Sequence, residues 1–211
     1  MTLFFTSDQH FYHNNVIQYC DRPFLSVEEM NEEIIRRFNE RVTSTDATFH
    51  LGDFSLQSKY VPEILPKLNG IHYLAACGNH DRCFEAITKP HKEKQQVWIE
   101  FYRKAGFKNV GLSGNLYISS SWGHPSEVNY SHFPYRGAGD HSEKERFWSK
   151  RLEDDGKPLL HGHIHEKWKL NHTDKGTLMI NVGVDVWDFY PVSEVQIAEI
   201  IKAEKYGYKL N

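Results

Sequence analysis

Five short polar clusters are spread along the 211-residue chain, and together they carry side chains that bind divalent metal ions. The clusters are Asp8-Gln9-His10, Gly52-Asp53, Gly78-Asn79-His80-Asp81, Ser131-His132-Phe133-Pro134 and His161-Gly162-His163-Ile164-His165. Their candidate ligands are Asp8, His10, Asp53, Asn79, His132, His163 and His165. Such a set exceeds what one transition-metal ion needs and suits two ions that share a bridging carboxylate.

Two ions held in this way are suited to attack on phosphorus. A carboxylate such as Asp53 has two oxygens and can bridge the ions, while neutral Asn79 and the imidazoles add no negative charge. Ions about 3.5–4 Å apart generate a hydroxide nucleophile near neutral pH and stabilise the oxygens of an in-line displacement. Because the clusters contain no cysteine, a closed structural zinc site is disfavoured. Mn²⁺ is the first expectation, with Fe or Zn²⁺ as alternatives.

Each candidate ligand has an ordinary explanation when it is taken singly. Asp53 after Gly52 would be a turn residue, and His132 would be a hydrogen-bonded surface or core histidine. His132 also has a rival in His124, which precedes Pro125. We favour His132 because the strand predicted at residues 128–131 would end at it. Chance occurrence could explain any one cluster, but it does not explain the complete set, since all five clusters occur in order.

Short apolar strands and amphipathic helices alternate along the first half of the chain, which is typical of an α/β fold. Strands are predicted at residues 3–6, 48–51 and 71–77. Each of the first three clusters follows one of these strands. Because ligands of α/β sheets bind beyond the carboxyl ends of strands, the clusters can converge there. Gly52, Gly78 and Gly162 allow the tight turns that bring the backbone close to a bound ion.

The clearest helix signal is a capping box, in which Ser26 is the N-cap and Glu29 follows three residues later. The helix that it opens has an apolar stripe formed by Val27, Met30, Ile34, Phe38 and Val42. Other helices are predicted at residues 60–68, 91–104 and 144–152. Further strands are predicted at residues 116–120, 128–131, 159–160, 178–182 and 192–197.

The bulk composition predicts one soluble, cytoplasmic domain. A net charge of −3 argues against general electrostatic binding to nucleic acid or to an anionic membrane. The three cysteines, Cys20, Cys77 and Cys83, form no C-x-x-C pair and are expected to be thiols of a reducing compartment. The first residues lack the pattern of a signal peptide, and no apolar run approaches the length of a membrane span.

Arg22 and Arg136 are the candidate substrate-binding residues, because a planar guanidinium can bind phosphate oxygens in a bidentate manner. Arg136 follows His132 by four residues in a glycine-rich segment, which would place it near an ion. For both arginines a solvated surface position is the competing interpretation. His13, three residues after His10, could line the mouth of the site, and a surface position is equally open to it.

The ordered clusters resemble the signature of the calcineurin-like metallophosphoesterase superfamily, which runs D-x-H, G-D, G-N-H-[D/E], H and G-H-x-H. The resemblance extends from Asp8 to His165 and includes every element of that signature. It implies a single calcineurin-like phosphoesterase domain over residues 1–211. The fold it implies is α/β, with two packed mixed β-sheets flanked by helices and a metal site at the carboxyl ends of strands.

The resemblance also implies a role for each candidate residue. One ion would be bound by Asp8, His10 and His165. The second ion would be bound by Asn79, His132 and His163. Asp53 would bridge the two ions. His80 would not bind metal; as the catalytic residue it would contact the phosphate and help to protonate the leaving oxygen.

The resemblance is to a compact prokaryotic or phage branch, since the D-R-G extension of the serine/threonine protein phosphatases does not follow Gly52-Asp53. Segments 20–24 and 181–187 also look like bacterial and phage members. The expected activity is hydrolysis of a phosphodiester or phosphomonoester, on a nucleotide-like or small phosphorylated substrate, by a metal-bound hydroxide.

Two other functions stay open. The first is a nuclease acting on nucleic-acid ends, which the acidic net charge and the short chain disfavour. The second is a metal-binding scaffold without catalysis, which would have no use for His80. The preferred substrate and the oligomeric state are not predicted.

Overall fold

The computed structural model describes residues 1–84, 92–119, 125–140 and 144–207. Its strands are β1 (Leu3–Thr6), β2 (Ala47–His50), β3 (Ile71–Leu74), β4 (Ser113–Ile118), β5 (Ser126–Ser131), β6 (Leu159–His161), β7 (Leu170–His172), β8 (Leu178–Asn181) and β9 (Val192–Ser193). They form a four-stranded sheet in the order β3-β2-β1-β9 and a five-stranded sheet in the order β4-β5-β6-β8-β7.

Both sheets are mixed, and their parallel strands lie side by side. In the four-stranded sheet β1, β2 and β3 are parallel, and β9 pairs antiparallel with β1. In the five-stranded sheet β5, β6 and β8 are parallel, and the two edge strands β4 and β7 are antiparallel to their neighbours. Each sheet therefore has one edge at which the carboxyl ends of three parallel strands meet.

Helices cover the sheets. The helices whose bounds both lie in the described part of the chain are α1 (Asn14–Tyr19), α2 (Val27–Arg41), α3 (Val61–Ile64), α4 (Lys92–Ala105) and α5 (Glu194–Tyr206). Single 3₁₀ turns occur at Ser58–Tyr60, Leu65–Lys67, Trp148–Lys150 and Val184–Val186. Among the described residues, no helix is both long enough and apolar enough to cross a membrane.

Two large hydrophobic clusters hold these layers together. One lies between the sheets and contains residues from both of them and from α5, including Phe5, Val128, Leu160, Ile180 and Ile197. The other joins the four-stranded sheet to α2 and α4 and includes Phe4, Met30, Phe38, Leu74 and Tyr102. Burial of these side chains on both faces of one sheet is what fixes the layered arrangement. The predicted fold class, two packed mixed sheets flanked by helices, is confirmed.

The predicted start of α2 is confirmed, with one difference in its capping box. The hydroxyl of Ser26 accepts a hydrogen bond from the backbone N–H of Glu29 at 3.1 Å. The Glu29 carboxylate accepts in return from the N–H of Leu25 at 2.7 Å, one residue earlier than in the standard box. The stripe predicted to face the core is buried at Met30, Ile34 and Phe38.

The strand predicted at residues 192–197 is wrong beyond Ser193. Only Val192 and Ser193 pair with β1, and α5 begins at the next residue. Ser193 caps that helix, and Gln196 completes a full capping box. The S-x-x-Q spacing was a helix signal in the sequence, and the apolar residues Ile197 and Ile201 are buried at helical spacing.

The helix predicted at residues 144–152 is also wrong, because only the turn at Trp148–Lys150 is helical there. Phe147 has a φ of 58°, which is left-handed and breaks a helix. The Arg151 side chain is buried and donates to the carbonyls of Gly139 and Arg146, so it anchors this segment as a loop. Strand β7 and helix α1 were not predicted.

Cys77 and Cys83 are joined by a disulfide whose Cα atoms are 6.4 Å apart, so the expectation of thiols is wrong for this pair. The bridge closes the loop that carries Asn79 and His80. Cys20 is a free cysteine. His124, the rival of His132, and His91, the first residue of a predicted helix, lie outside the described residues.

Candidate metal centre

Loops from both sheets meet at one place and carry all seven candidate ligands. The loops after β1, β2 and β3 carry Asp8, His10, Asp53 and Asn79, and the loops after β5 and β6 carry His132, His163 and His165. Backbone hydrogen bonds tie neighbouring loops together: the N–H of Asp8 donates to Gly52 O and the N–H of Gly162 donates to His132 O, each at 3.0 Å. The predicted convergence of the clusters is therefore seen in the structure.

Three glycines make this close approach of loops possible, as predicted. A Cβ atom on Gly52 would meet Gly78 and the ring of His132. A Cβ atom on Gly78 would meet the carboxylate of Asp53, and one on Gly162 would meet Ser7 and Asp8. Gly52 also has a φ of +100°, which side chains rarely adopt. These positions require glycine because the ligand-bearing loops are packed against them.

Five of the seven candidate ligands have left-handed backbone conformations. They are Asp8, His10, Asp53, His163 and His165, with φ values between 49° and 75°. Such a conformation costs about 1–3 kcal/mol at a non-glycine residue and persists only where the surroundings impose it. Half of the ten non-glycine residues with this backbone conformation in the described part of the chain are candidate ligands, and strain of this kind collects at functional sites.

Asp53 lies at the centre of the cluster. Its Oδ2 atom is 3.5 Å from His10 Nε2 and 3.4 Å from His132 Nε2. Its Oδ1 atom accepts a hydrogen bond from the backbone N–H of His80 at 2.8 Å. One carboxylate thus faces an imidazole from each of the two predicted ion sites, which is the position required of a bridging ligand.

Several donor atoms of the candidate ligands are buried and have no hydrogen-bond partner in the described part of the chain. They are Asp8 Oδ1, His10 Nε2, Asn79 Oδ1 and His132 Nε2. Leaving such an atom without a partner costs about 1–3 kcal/mol, so buried polar atoms without partners are rare in native proteins. These four atoms belong to one small cluster and are of the types that bind divalent metals.

The four candidate imidazole ligands each have one ring nitrogen at hydrogen-bond distance from a neighbouring group. These contacts are His10 Nδ1 with His13 Nδ1 (3.2 Å), His132 Nδ1 with Leu51 O (2.8 Å), His163 Nε2 with Asp140 Oδ1 (3.1 Å) and His165 Nδ1 with Asp185 Oδ2 (3.0 Å). Metal-binding histidines in proteins almost always make such a contact, which sets the tautomer and the ring orientation.

The electrostatics of the cluster divide its histidines: burial lowers the pKa of His10 well below its usual range and that of His163 to about 3, whereas nearby carboxylates raise the pKa of the other two. Burial alone would raise the pKa of Asp53, but His132 and His10 outweigh it and hold that pKa well below its usual range. Burial lowers the pKa of His132 and His165, but Asp53 raises that of His132 to about 9 and Asp185 holds that of His165 well above its usual range. Protons therefore balance the buried carboxylates in the metal-free chain, and bound cations would replace them.

Asp81 connects two of the ligand-bearing loops. Its Oδ2 atom accepts hydrogen bonds from the backbone N–H groups of Asp53 and Gly78, both at 2.8 Å. Burial, with a further contribution from the charge of Asp53, raises the pKa of Asp81 to about 7. Asp81 is thus a structural brace behind the bridging carboxylate and does not face the cavity.

A cavity of about 360 Å³ opens onto the cluster. Its floor contains five candidate ligands and His80: His10, Asp53, Asn79, His80, His163 and His165. One wall comes from α1 and the residue after it, with Val16, Tyr19 and Cys20. Arg146 and Lys167 contribute positive charge to the lining. The exposed ring of His80 lies 5.2 Å from that of His10, so it faces the space that a substrate would enter.

The structure gives Arg22 a position that differs from the predicted one. Its side chain is fully buried and forms a bidentate ion pair with Asp185, with distances of 2.7 and 2.9 Å. It also donates to the backbone carbonyls of Asp8 and Gln9. Because its donors are already used inside the protein, Arg22 is not available to bind a substrate phosphate.

Arg136 also lies away from the position that was predicted for it. It pairs with Glu153 and lines a separate surface groove with Trp148 and Lys175. The side chain donates to Trp148 O at 3.2 Å, which turns it away from the ion cluster. The arginine that lines the cavity is Arg146, ten residues later, and the sequence offered no signal that separated the two.

Sequence reasoning missed two carboxylates at the site, Asp140 and Asp185. Asp185 had a usable signal, since it follows strand β8 and Gly183 as the ligands follow theirs. Asp140 lies in an irregular loop and had no such signal. His13 does line the cavity, one of the two positions left open for it.

Comparisons with known proteins identify relatives along almost the whole chain. The chain is 30% identical to the uncharacterized protein MJ1445 of Methanocaldococcus jannaschii, over 99% of this chain and 96% of that protein. It is 30% identical to the Gene 66 protein of Mycobacterium phage D29, over 92% of this chain and 94% of that protein. The Gene 66 protein of Mycobacterium phage L5 is 29% identical over 87% of this chain and 86% of that protein.

Solved structures add a likeness in fold. A protein of unknown function from Aquifex aeolicus, AQ665, superposes with a TM-score of 0.63 and 23% identity, over 94% of this chain and 98% of that one. The phosphopantetheinyl hydrolase PptH of Mycobacterium tuberculosis superposes with a TM-score of 0.41 and 12% identity, over 87% and 89%. No protein-family model matches the chain. The Aquifex aeolicus protein thus shares the two-sheet fold.

Proposed function

The chain belongs to one family with the Methanocaldococcus jannaschii protein, and we propose that it is a metal-dependent hydrolase of phosphoric esters. The observation that carries this proposal is the set of buried ligand atoms that make no hydrogen bond, on Asp8, His10, Asn79 and His132; the two imidazole nitrogens among them face Asp53 Oδ2 at 3.5 and 3.4 Å. Divalent ions would satisfy all four atoms at once, and the left-handed backbone at the candidate ligands is the strain expected of such a site.

Under this proposal two ions occupy neighbouring positions in the cluster. Ligand atoms of Asp8, His10 and His165 lie within 4.8 Å of one another and suit the first ion. Ligand atoms of Asp8, Asp53 and His132 meet the same distance limit, and Asp53 would bridge to the second ion. Asn79 and His163 would complete the second site. The oxygen and imidazole donors favour Mn²⁺, with Fe or Zn²⁺ as alternatives.

When bound, the two ions would supply positive charge to the phosphoryl oxygens and lower the pKa of water. The chain itself would contribute His80. The backbone N–H of His80 is bonded to Asp53 Oδ1, so the position of this residue is tied to the bridging carboxylate. Its exposed imidazole can donate a hydrogen bond to a phosphoryl oxygen and pass a proton to the leaving oxygen.

We take residues 1–211 as a single calcineurin-like phosphoesterase domain, because ligands come from both sheets and neither sheet could form the site alone. The substrate class that we propose is a nucleotide-like or small phosphorylated molecule. The cavity of about 360 Å³ supports a substrate of modest size. Its lining includes Arg146, which favours an anionic substrate, whereas Lys167 is paired with Glu166 of the same lining at 3.1 Å.

The test measures hydrolysis of bis-p-nitrophenyl phosphate and p-nitrophenyl phosphate by the full chain loaded with Mn²⁺. Asp53→Ala is expected to lose both metal binding and turnover, since its Oδ2 atom lies 3.5 Å from His10 Nε2 and 3.4 Å from His132 Nε2. His80→Ala is expected to keep its metal and lose about 10²–10⁴-fold in turnover, the range for a lost proton donor. The preferred ester would distinguish a diesterase from a monoesterase.

Matched controls are available on the surface. His172→Ala and Asp174→Ala remove the same kinds of side chain at exposed positions and should behave as the wild-type protein does. Two bound ions without turnover of either ester, and without turnover of nucleoside phosphates, would contradict the proposed hydrolase and favour a metal-binding scaffold.

A further inference from the structure

Behind His165 lies a buried chain of three side chains. His165 Nδ1 donates to Asp185 Oδ2 at 3.0 Å. Arg22 donates to both oxygens of the same carboxylate, from Nε at 2.7 Å and from Nη2 at 2.9 Å. The side chains of Arg22 and Asp185 are 0% and 2% exposed. Asp185 comes from the turn after β8, so a third parallel strand of the five-stranded sheet contributes to the site.

A second chain of the same composition lies behind His163. His163 Nε2 donates to Asp140 Oδ1 at 3.1 Å, and Arg151 Nη2 donates to Asp140 Oδ2 at 2.6 Å. The side chains of Asp140 and Arg151 are both 0% exposed. Arg151 is held in turn by the carbonyl of Gly139 at 2.8 Å. Two histidines only two positions apart therefore each have an aspartate and an arginine behind them.

Stability alone is a poor explanation for these buried pairs. Removing two charges from water costs several kcal/mol for each ion, and apolar residues of the same volume often give an equally stable core. The two aspartates contact different nitrogens, Nδ1 of His165 and Nε2 of His163. A neutral imidazole that donates from one nitrogen presents a lone pair at the other, so the two rings are set in opposite tautomers.

We propose that Asp185 and Asp140 are positioning residues for the two metal ions, one for each, and that Arg22 and Arg151 hold these carboxylates in place. This inference rests on the proposed two-ion site. Asp185 sets the ring of His165, which belongs to the ion on Asp8 and His10. Asp140 sets the ring of His163, which belongs to the ion on Asn79 and His132.

The arginines explain why these aspartates orient ligands and do not bind metal themselves. A ligand atom of Asp185 lies within 4.8 Å of ligand atoms of His165 and Cys20, so distance alone would allow coordination. Both Asp185 oxygens are bonded to the Arg22 guanidinium, and a fixed positive charge beside them opposes a cation. Asp140 has one oxygen on Arg151 and the other on His163.

The test titrates the metal-free full chain with Mn²⁺ and monitors binding by calorimetry and by electron paramagnetic resonance. Asp185→Asn and Asp140→Asn should each lower the affinity for one of the two ions by about 10–100-fold. This is the usual loss of affinity when a group that contacts a metal ligand from behind is removed. At intermediate Mn²⁺ each variant should then show the spectrum of a single ion where the wild-type protein shows a coupled pair.

Asp46→Asn is the matched control, because Asp46 is also a buried, hydrogen-bonded aspartate but lies in the turn before β2, bonded to Thr2 and Thr43. It should bind two ions as the wild-type protein does. If either site variant fails to fold, Arg22→Lys and Arg151→Lys decide, since each keeps the charge and loses the fork that holds the carboxylate. Each arginine variant should lower the affinity for the same ion as the variant of its aspartate partner does.

The outcomes separate this inference from the proposed function. Wild-type affinity for both ions in Asp185→Asn and Asp140→Asn would overturn the inference, and so would an equal loss of both ions in each variant. A wild-type protein that binds two ions and hydrolyses no phosphoester would overturn the hydrolase and leave the inference standing. A wild-type protein that binds neither Mn²⁺ nor Fe²⁺ nor Zn²⁺ would overturn both.

Discussion

The two sheets contribute different kinds of ligand to the candidate metal centre. The loops of the four-stranded sheet supply the oxygen donors Asp8, Asp53 and Asn79 together with one imidazole, His10. The loops of the five-stranded sheet supply imidazoles alone, His132, His163 and His165. The centre is therefore formed by an oxygen-rich edge of one sheet that faces a nitrogen-rich edge of the other.

The two kinds of ligand are also held in different ways. Asp8 and Asp53 are held by backbone N–H groups: Asp8 Oδ2 accepts from His163 N at 2.9 Å, and Asp53 Oδ1 accepts from His80 N at 2.8 Å. The imidazoles of the five-stranded sheet are held by separate acceptors, such as Leu51 O for His132. A short carboxylate is placed by the path of its loop, whereas an imidazole also needs a partner that sets its rotation and tautomer.

The largest effect is expected where the two sheets touch, at Gly162. A Cβ atom there would meet the side chains of Ser7 and Asp8, so Gly162→Ala must move the loop after β6 away from the loop after β1. We expect a loss of Mn²⁺ affinity of more than about 100-fold and a loss of about 2–4 kcal/mol in the free energy of unfolding. Calorimetric titration and denaturant unfolding measure the two quantities.

Gly156→Ala is the control for Gly162→Ala. Gly156 has a φ of +85° and no atom within 4 Å of the added Cβ, so the variant carries backbone strain without a clash. It should lose about 1 kcal/mol of stability and no metal affinity. Equal effects in the two variants would mean that the contact between the sheets is not what places the ligands.

A smaller loss of stability and of metal affinity is expected from Asn181→Ala, at the end of β8. The Asn181 amide donates to His165 O at 2.8 Å and to Trp168 O at 3.0 Å, and its oxygen accepts from Gly183 N. Removing this buried side chain should cost about 1–3 kcal/mol of stability. It should lower the affinity for the ion on His165 by about tenfold, because the backbone carbonyl of that ligand loses its hydrogen bond to Asn181.

The exposed Asn171→Ala variant on β7 serves as the control for Asn181→Ala, and thermal unfolding with Mn²⁺ titration gives both readings. Unchanged affinity in Asn181→Ala would show that the five-stranded sheet places its imidazoles without this anchor. The two sheets would then differ in how they hold their ligands only through Asp140 and Asp185, which contact His163 and His165.

An acid-sensitivity test concerns the two buried histidines of the four-stranded sheet that are not ligands. Burial lowers the pKa of His50 well below its usual range and also lowers that of His72. The unfolded chain therefore binds more protons than the folded chain below about pH 6.5, so stability is full above that pH and falls as the pH drops toward the folded pKa values.

The slope of that fall is limited to about 1.4 kcal/mol per pH unit for each histidine. His72→Gln should make the metal-free protein less sensitive to acid between pH 6.5 and 5, measured by urea unfolding in the presence of a chelator. His172→Gln, at an exposed position on β7, should leave the slope unchanged. An unchanged slope in His72→Gln would assign the acid sensitivity to His50 or to the ligand cluster instead.

The smallest effect is expected at the helix that follows β9. Ser193 caps α5, and Ser193→Ala should cost about 1 kcal/mol of stability. Because α5 packs on the core between the sheets and lies away from the cavity, Mn²⁺ affinity should not change. A change in affinity would mean that the two sheets are coupled to the ligands through their core as well as through their loops.

Local sequence was enough for much of the four-stranded sheet. β1 has the predicted bounds, and the predicted cap at Ser26 opens α2, because capping and strand signals depend on residues close together in the chain. The strand predicted at residues 192–197 failed for a related reason. Its two paired residues run directly into a capped helix, and a short segment with a few apolar residues fits either state.

Long-range partners account for the errors at the two arginines. Arg22 was expected to bind substrate, but its partner Asp185 is 163 positions away and could not be identified from either neighbourhood. Arg136 and Arg146 lie in the same stretch of sequence, and only the path of the loop directs one to a surface groove and the other to the cavity. Guanidinium chemistry alone suits both uses.

The types and order of the candidate ligands follow from the sequence alone, because a side chain that binds metal must carry a suitable oxygen or nitrogen wherever it lies. The tertiary structure decided how those atoms are held: which nitrogen of each histidine contacts a neighbour, and which aspartates and arginines stand behind His163 and His165. These partners come from loops after different strands, and only the pairing and packing of those strands in the folded protein bring such loops within hydrogen-bond distance.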